Sequence, residues 1–480
     1  MKKLLFATLA LGAAIATSAR VVTYPVPAEA PVNRSFGLEV RDAGAPDDTE
    51  WTPVGLYNVK VDKTVAGKHS VRNSSMAIFD FDGSVEVRVT ARGRSVEKAR
   101  VRPLSRSIDT EIVNDSVFMF TLDRPGNLSV EVNDDIFDNI QLFAGSVPED
   151  VPTARELKKL RKDKNFIYFA PGYHKLPNPL KIKDNQRVYI AGGAYVDGVI
   201  NVDTVSNVRI WGRGIVNPGR EAGMYVRNSR NVEIDGLMTT QLPVGGSDSV
   251  KISNVKVISY YGWGDGFNVF ASSNVSYDNV FARTSDDCTT VYCTRKGFNG
   301  SARNITMENS TLWADVAHVI EIGLHGNVEQ PDSAVNLLYR NIDVLDAKEM
   351  QLDYQGVMSI DVGDNNLVKN VTFENIRIEN FRQGRLLSMR LCWNKKYCGA
   401  PGRGIEDVTF KDITYNGDNS EISLILGYDE SRCIRNVTFD NLVINGVRYS
   451  DDMPGKPGWY KTSDLARIYV GEHVENVIFK

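Results

Sequence analysis

The sequence predicts an all-β protein, an N-terminal β-sandwich followed by a right-handed parallel β-helix. Three observations carry that expectation. The first part of the chain alternates apolar and polar residues with period two between turn signals. From residue 207 onward a short motif recurs, an Asn followed by alternating Val, Ile, Thr or Phe. The apolar spacing of two within that motif excludes a helical repeat. The 480 residues are too many for one ordinary core, and 42% hydrophobic with 24% charged residues is the balance of a folded soluble protein.

Taken in order, residues 1–19 read as a secretory signal: Lys2 and Lys3, an apolar run from Leu4 to Ile15, and the small-residue site Thr17-Ser18-Ala19. That run is too short for a membrane span, so the expectation is a secreted or periplasmic protein with no lipid anchor and no membrane partner. Sixty acidic residues against 56 basic ones argue against nucleic acid as a partner. The five cysteines are too few for a disulfide scaffold, and no CxxC or His/Cys cluster has zinc-ligand spacing. Cys392 and Cys398 are spaced to close a short loop in an oxidising compartment.

Residues 20–147 are expected to form the sandwich, with strands such as "SVEVRVTARG" from Ser84 and "LSVEVN" from Leu128 beside the turn signals Asp82-Gly83 and Pro125-Gly126. This half holds no catalytic cluster and reads as a structural or substrate-guiding module. Thr153-x-x-Glu156 then has capping-box spacing and opens a short amphipathic helix, "TARELKKLRK", placed to cover the open end of a stacked structure. Residues 148–480 are expected to form the β-helix. Its motif appears as "NVRIWG" at Asn207, "NVEIDG" at Asn231, "NVKVIS" at Asn254, "NITMENS" at Asn304, "NVTFENIRIEN" at Asn370 and "NVTFDNLVI" at Asn436. Early members recur every twenty-odd residues, and later gaps are lengthened by loops. The Asn amides are expected to stack in ladders at the turns.

This architecture gives meaning to "GWGDGFNV" (from Gly262) and "SDDC" (from Ser285). Residues one coil apart lie on neighbouring strands, ~4.8 Å from each other. Asp265 precedes Asp286 by 21 positions, about one coil, so the three carboxylates of Asp265, Asp286 and Asp287 should meet. A bend at the Asp pair is needed, because adjacent strand residues point to opposite faces. His318, in "HVIEIG", falls on the following coil. Singly, Asp-Gly is a turn dipeptide, an Asp pair a solvated loop and a His a hydrogen-bonded surface residue. Their joint spacing favours a site. Clustered carboxylates raise one another's proton affinity, so one stays protonated beside ionised neighbours. Glycosidic hydrolysis needs that split, an acid for the departing oxygen and a base for water, and a gap of roughly 6.5–9.5 Å leaves room for the water and inverts the anomeric centre. Tyr260, Tyr261, Trp263, Tyr292 and Trp313 are candidates to stack on sugars, with at least half expected to be packing residues. A long loop within Leu386 to Gly404, holding Arg390, Trp393, Lys395 and Lys396, is expected over the cleft.

The ordered set "DGFNV…SDDCTTVY…AHVIEIG" resembles the polygalacturonases, glycoside hydrolase family 28. A sandwich ahead of the helix is more similar to the dextranase and isopullulanase family, number 49. The resemblance implies Asp286 as general acid, Asp265 and Asp287 holding and deprotonating water, and His318 orienting the acid or contacting the sugar. Trp263, Tyr292, Glu321, Arg390 and Trp393 would bind substrate, and no metal or organic cofactor is implied. Two departures shape the substrate. The Arg-Ile-Lys segment that grips galacturonate in polygalacturonases is absent, the region reading "MQLDYQGVMSIDV", and Glu321 adds an acid. The expectation is an inverting hydrolase of an α-linked polysaccharide or oligosaccharide, neutral and dextranase-like. The alternatives are a polygalacturonase with a rewired grip, a β-helix polysaccharide lyase, and a non-catalytic carbohydrate-binding β-helix.

Overall fold

The computed structural model describes residues 19–65, 67–419 and 421–480; the leader assigned to residues 1–19 lies, but for Ala19, outside them. The chain is almost entirely β. Strands from Arg20–Thr23 to Asp135–Ser146 form a six-stranded and a five-stranded sheet, largely antiparallel, packed face to face. Between them Val40, Val87, Phe118, Phe79, Val130 and Leu142 are buried in one core, as the period-two alternation requires.

From Phe166 the chain winds into a right-handed parallel β-helix, whose two sheets hold 19 and 11 strands. Val188, Ile210, Ile234, Ile252 and their successors point inward and fill a continuous interior. Further along, Phe373, Phe410, Phe439 and Phe479 stack one per coil, with ring centroids 4.6–5.0 Å apart. The Asn ladder is present at the turns. Asn304 donates to Asn274 at 2.9 Å, Asn336 to Asn304 at 3.0 Å and Asn370 to Asn336 at 2.8 Å. Each of these residues has positive φ, a conformation that Asn tolerates far better than β-branched residues.

The helix Ala154–Leu160 forms with its full capping box at Thr153 and Glu156. It lies on the flank of the coil: Leu157 and Leu160 pack against Phe166, Tyr189 and Trp211 on the outer face, and neither joins the interior column. The expectation that it covers the open end is corrected accordingly. There the outward aromatic ladder Tyr168–Tyr189–Trp211 gives its leucines an apolar surface to pack on. Cys392 and Cys398 are buried free thiols. No described helix is long and apolar enough to cross a membrane.

Buried ion pairs join the sandwich to the coil. Arg283, fully buried, pairs with Asp315 at 2.9 Å, donates to the Asn139 side chain and the Ile136 carbonyl of the sandwich, and lies over the Trp313 ring. Arg102 reaches from the sandwich to Glu379 at 2.6 Å. Trp313, one of the proposed sugar-stacking residues, is 0% exposed and belongs to this junction.

Candidate active site

The 11-stranded sheet forms the floor of a groove, and four consecutive strands of it carry the site: Phe267–Phe270, Thr289–Tyr292, Ile320–Ile322 and Met358–Val362. Phe267 pairs with Thr289, an offset of 22, so Asp265 stands level with Asp287, one position later than a 21-residue coil implies. Thr289 pairs with Ile320, which brings His318 level with Asp287 on the next coil. The bend expected at the Asp pair occupies residues 285–288. Thr284 Oγ1 donates to the Asp286 carbonyl at 2.6 Å, and the Asp287 N–H donates to Asp286 Oδ1 at 3.0 Å. Gly266 lets the coils approach: a Cβ there would lie 2.3 Å from the Cys288 carbonyl oxygen, the acceptor of the Phe267 N–H.

Asp265, Asp286 and Asp287 are half-buried, and His318 is buried behind them. Burial, followed by the charge of Asp287, pushes the Asp265 carboxyl up to about 6. Burial, then Asp265 and Asp287, holds the proton on Asp286 well above the usual carboxylate range. Asp265 also accepts from the Asn268 amide. His318 Nδ1 bonds Asp287 Oδ1 at 2.7 Å, its backbone N–H donates to the same oxygen at 3.1 Å, and Nε2 faces the Tyr354 carbonyl. Burial disfavours the imidazolium, but Glu321, Asp287 and Glu349 together outweigh it and keep the ring protonated well above its ordinary value. Both ring nitrogens then donate, which fits one carboxylate on one side and a carbonyl on the other.

His318, Glu321 and Asp361 offer ligand atoms within 4.8 Å of one another, the separation a divalent cation would need. The ring's engagement with Asp287 and Tyr354 fits the imidazolium as the positive charge of this cluster instead. Glu321 is 0% exposed, its oxygens meet no donor at hydrogen-bond distance, and His318 Nε2 stands 3.6 Å away. It therefore acts on His318 from beneath and does not face the groove as a sugar-binding residue would. Tyr292 is also buried, its ring 4.8 Å edge-on from His325 and 6.2 Å from Phe270.

The remaining candidates surround the carboxylates. Trp263 is 86% exposed on the rim, on an arch in which Tyr261, Gly262 and Trp263 all have φ between 50° and 65°. Arg390 pairs in register with Asp361 on the groove floor and donates to the Asp353 carbonyl. The loop bearing Trp393 returns over this face: Tyr397 packs edge-on against Tyr354 at 5.1 Å and Lys396 donates to Gln351. The cationic segment sought in this region is replaced by Ser359-Ile360-Asp361, whose outward side chains bond each other at 2.7 Å.

Sequence reasoning missed Asn268, Glu349 and the Tyr354 carbonyl, and it missed His69. The latter belongs to the sandwich, bonds the buried Asp62 at 2.5 Å, and packs its ring 5.5 Å from Tyr261 on the arch. Asn268 was readable, since it lies three residues after Asp265 on an outward strand position. His69 left no signal, because the contact crosses between domains far apart in sequence.

The family model described as "Glycosyl hydrolases family 28" matches residues 180–455. Endopolygalacturonase A of Aspergillus flavus is 25% identical over 289 residues, covering 57% of this chain and 72% of that protein. Endopolygalacturonase A of Aspergillus niger is 23% identical over 243 residues, 49% of this chain and 59% of its own. Among solved structures, Dex49A from Penicillium minioluteum aligns over 95% of this chain and 96% of that one at 13% identity and a TM-score of 0.49. A family 28 exopolygalacturonase from Yersinia enterocolitica aligns over 82% and 96% at 13% identity and 0.48. With the match spanning more than half of the chain, including every strand that carries the carboxylates, this protein belongs to the glycosyl hydrolases of family 28.

Proposed function

We propose that the protein is an inverting hydrolase of α-glycosidic bonds in a polysaccharide or oligosaccharide, with a sugar that lacks an acid group over the floor of the groove. The observation that carries the reading is the meeting of Asp265, Asp286 and Asp287 in one half-buried cluster, in which burial and mutual charge raise the proton affinity of Asp265 and Asp286. Asp286, the most reluctant to ionise, protonates the departing oxygen. Asp265 and Asp287 hold a water and take its proton as it attacks the anomeric carbon from the opposite face. His318 fixes Asp287 through its Nδ1 bond, a positioning role. Trp263 and Trp393 offer exposed ring faces for sugars on either side.

The substrate argument is electrostatic. Ser359 and Asp361 stand at the positions where a polygalacturonase would present cations, both are buried beneath the floor, and Arg390 is engaged by Asp353. A uronate seated there would lack the cationic partners that offset the cost of desolvating its charge. The curated endopolygalacturonases it resembles favour the second reading, a polygalacturonase with its grip elsewhere.

A glycan panel of dextran, pullulan, galactans and polygalacturonate, scored for new reducing ends, tests the proposal, and proton NMR of the first product's anomer tests inversion. Replacing Asp286 by Asn should lower turnover by about 10²–10⁴-fold while glycan affinity is retained. A protein that binds glycans and never releases a reducing end would sink the hydrolase reading. Unsaturated products absorbing in the ultraviolet would assign it to the lyases instead.

A further inference from the structure

We infer that His69 of the β-sandwich bonds a hydroxyl of the sugar that lies against Trp263, so that the sandwich forms part of the substrate site. This role rests on the groove being a glycan site, and it adds to that reading a contact supplied by the other domain.

A hairpin of the sandwich carries His69 to the groove. Strands Leu56–Asp62 and Val71–Asp82 pair as far as Asp62 with Val71, and the chain between them runs on to a tip closed by backbone bonds between Val65 and Lys68. Two points fasten this hairpin to the coil. The His69 ring packs on Tyr261, in the arch that leads into Asp265, and Lys348 Nζ donates to the Thr64 carbonyl. Lys348 in turn pairs through its backbone with Ala317, the neighbour of His318. The two anchors lie on long turns, residues 259–266 and 347–357, while the coils between them turn within residues 285–288 and 315–319. Those short turns carry Asp286, Asp287 and His318. The hairpin therefore bridges the two long turns alongside the carboxylates.

The ring is held as a binding group is held. Its Nδ1 bonds Asp62, which is 0% exposed and also accepts from Thr64 Oγ1. A buried carboxylate costs stability unless it is paired, and this pairing fixes the orientation of the imidazole. A carboxylate accepts, so Nδ1 donates and Nε2 is left over. Among the described residues, nothing bonds Nε2. The side chain is 31% exposed, and its Nε2 edge is turned to Gly262, the neighbour of Trp263. A Cβ at that position would stand 3.3 Å from Nε2, so glycine, at φ 50°, keeps the edge open. A ring that only braced Tyr261 would need neither a buried acid behind it nor an open nitrogen in front. Sugar hydroxyls donate and accept, and so bond Nε2 in either protonation state. Trp263, 86% exposed, offers its flat face to the same sugar.

The test separates a bond to sugar from support of the arch. Tetrasaccharides of dextran, pullulan, galactan and polygalacturonate are titrated by calorimetry into the full chain carrying Asp286→Asn, and the tightest binder is carried forward. Asp62→Asn, which keeps an acceptor for Nδ1, serves as the reference background, so that loss of the ring leaves no buried charge unpaired. In that background His69→Phe keeps a ring against Tyr261 but has no Nε2, whereas His69→Ala has neither. Both should bind about three- to tenfold more weakly than the reference, the worth of one hydrogen bond, and His69→Phe should keep its melting temperature. Gly262→Ala, with His69 and Asp62 in place, should weaken binding as well, because its methyl group caps Nε2. Full affinity in His69→Phe with loss only in His69→Ala would reduce the ring to a brace and overturn the inference. Unchanged affinity in all three variants, or no binding of any tetrasaccharide, would overturn it too. If the wild type releases reducing ends while the variants bind as the reference does, the hydrolase reading stands and the His69 contact fails. If the variants weaken binding but the wild type releases no reducing ends, the contact stands and the hydrolase reading fails.

Discussion

Replacing Asp265 by Asn should stabilise the fold at neutral pH and leave it unchanged in acid. Asp265 has its carboxyl pushed up to about 6 from an ordinary 3.8, with burial the main cause and Asp287 the second. A shift of this size is worth about 3 kcal/mol between the two protonation states. Because the folded state binds the proton more tightly than the unfolded state, stability falls as pH rises from about 4 to about 6 and then levels off. Above that window the wild type carries the whole penalty of a half-buried charge beside another, and below it none. Asn has the same shape, keeps an acceptor for the Asn268 amide and has no charge to bury. Denaturant unfolding followed by tryptophan fluorescence should place the variant above the wild type by up to about 3 kcal/mol at pH 8, with the gap closing near pH 3.5. An equal difference at both pH values, or a variant weaker at pH 8, would refute the electrostatic account of the cluster. This readout is independent of any substrate.

Hydrolysis itself should show a bell-shaped dependence on pH: the acid limb lies near 6, where Asp265 takes up a proton, and the alkaline limb lies higher, where Asp286 loses its own. Asp265→Asn should move the alkaline limb down, since Asp265 is one of the charges that keep the proton on Asp286. Arg283→Met should cost up to about 3 kcal/mol by removing the closer partner of the buried Asp315, which keeps only Arg382 at 3.5 Å, and thermal melting of the full chain reads it directly. Asn336→Ala should cost about 1–3 kcal/mol, from two ladder bonds and an Ala forced to φ 62°, whereas an Asn-to-Ala change outside the ladder should cost far less. His69→Ala should raise KM for oligosaccharides more than it lowers kcat, because the arch it supports carries Trp263 while the Asp pair lies on another coil.

The coil and its ladders were legible because their chemistry is local. An Asn at a turn followed by alternating apolar residues states both the backbone conformation and the inward face, and Asn304, Asn336 and Asn370 stack as that pattern demands. The meeting of Asp265 with Asp286 and Asp287 was legible for the same reason, since one coil is a nearly constant length. The offset of 22 was not, and it decides that Asp287 stands level with Asp265. The bend that supplies the extra residue is set by Gly264 and Gly266 packing on Ser285 and Cys288, contacts that exist only once the coils are stacked. Aromatic residues were the least legible. Trp313 and Trp263 look alike in sequence, yet one is enclosed by Arg283 and Arg102 and the other is almost wholly solvated. Composition carries no information about which side of a junction a ring faces. The helix at Ala154–Leu160 shows the opposite error, an element read correctly and placed wrongly, because its apolar stripe says that it packs but not against what.

The arrangement beneath the groove explains how so many acids are tolerated there. His318 is the one buried cation among Asp287, Glu321, Glu349 and Asp361, and each of these acids other than Asp287 is held toward its neutral form mainly by burial. Ionising all of them at once would place several negative charges around one positive charge in a region closed to water, so protons remain in the cluster at neutral pH. The same physics acts one layer higher on Asp265 and Asp286, where the half-buried setting lets the protons exchange with substrate. Moving a basic residue to the floor, as in Asp361→Lys, should first destabilise the buried cluster before it alters any preference for substrate.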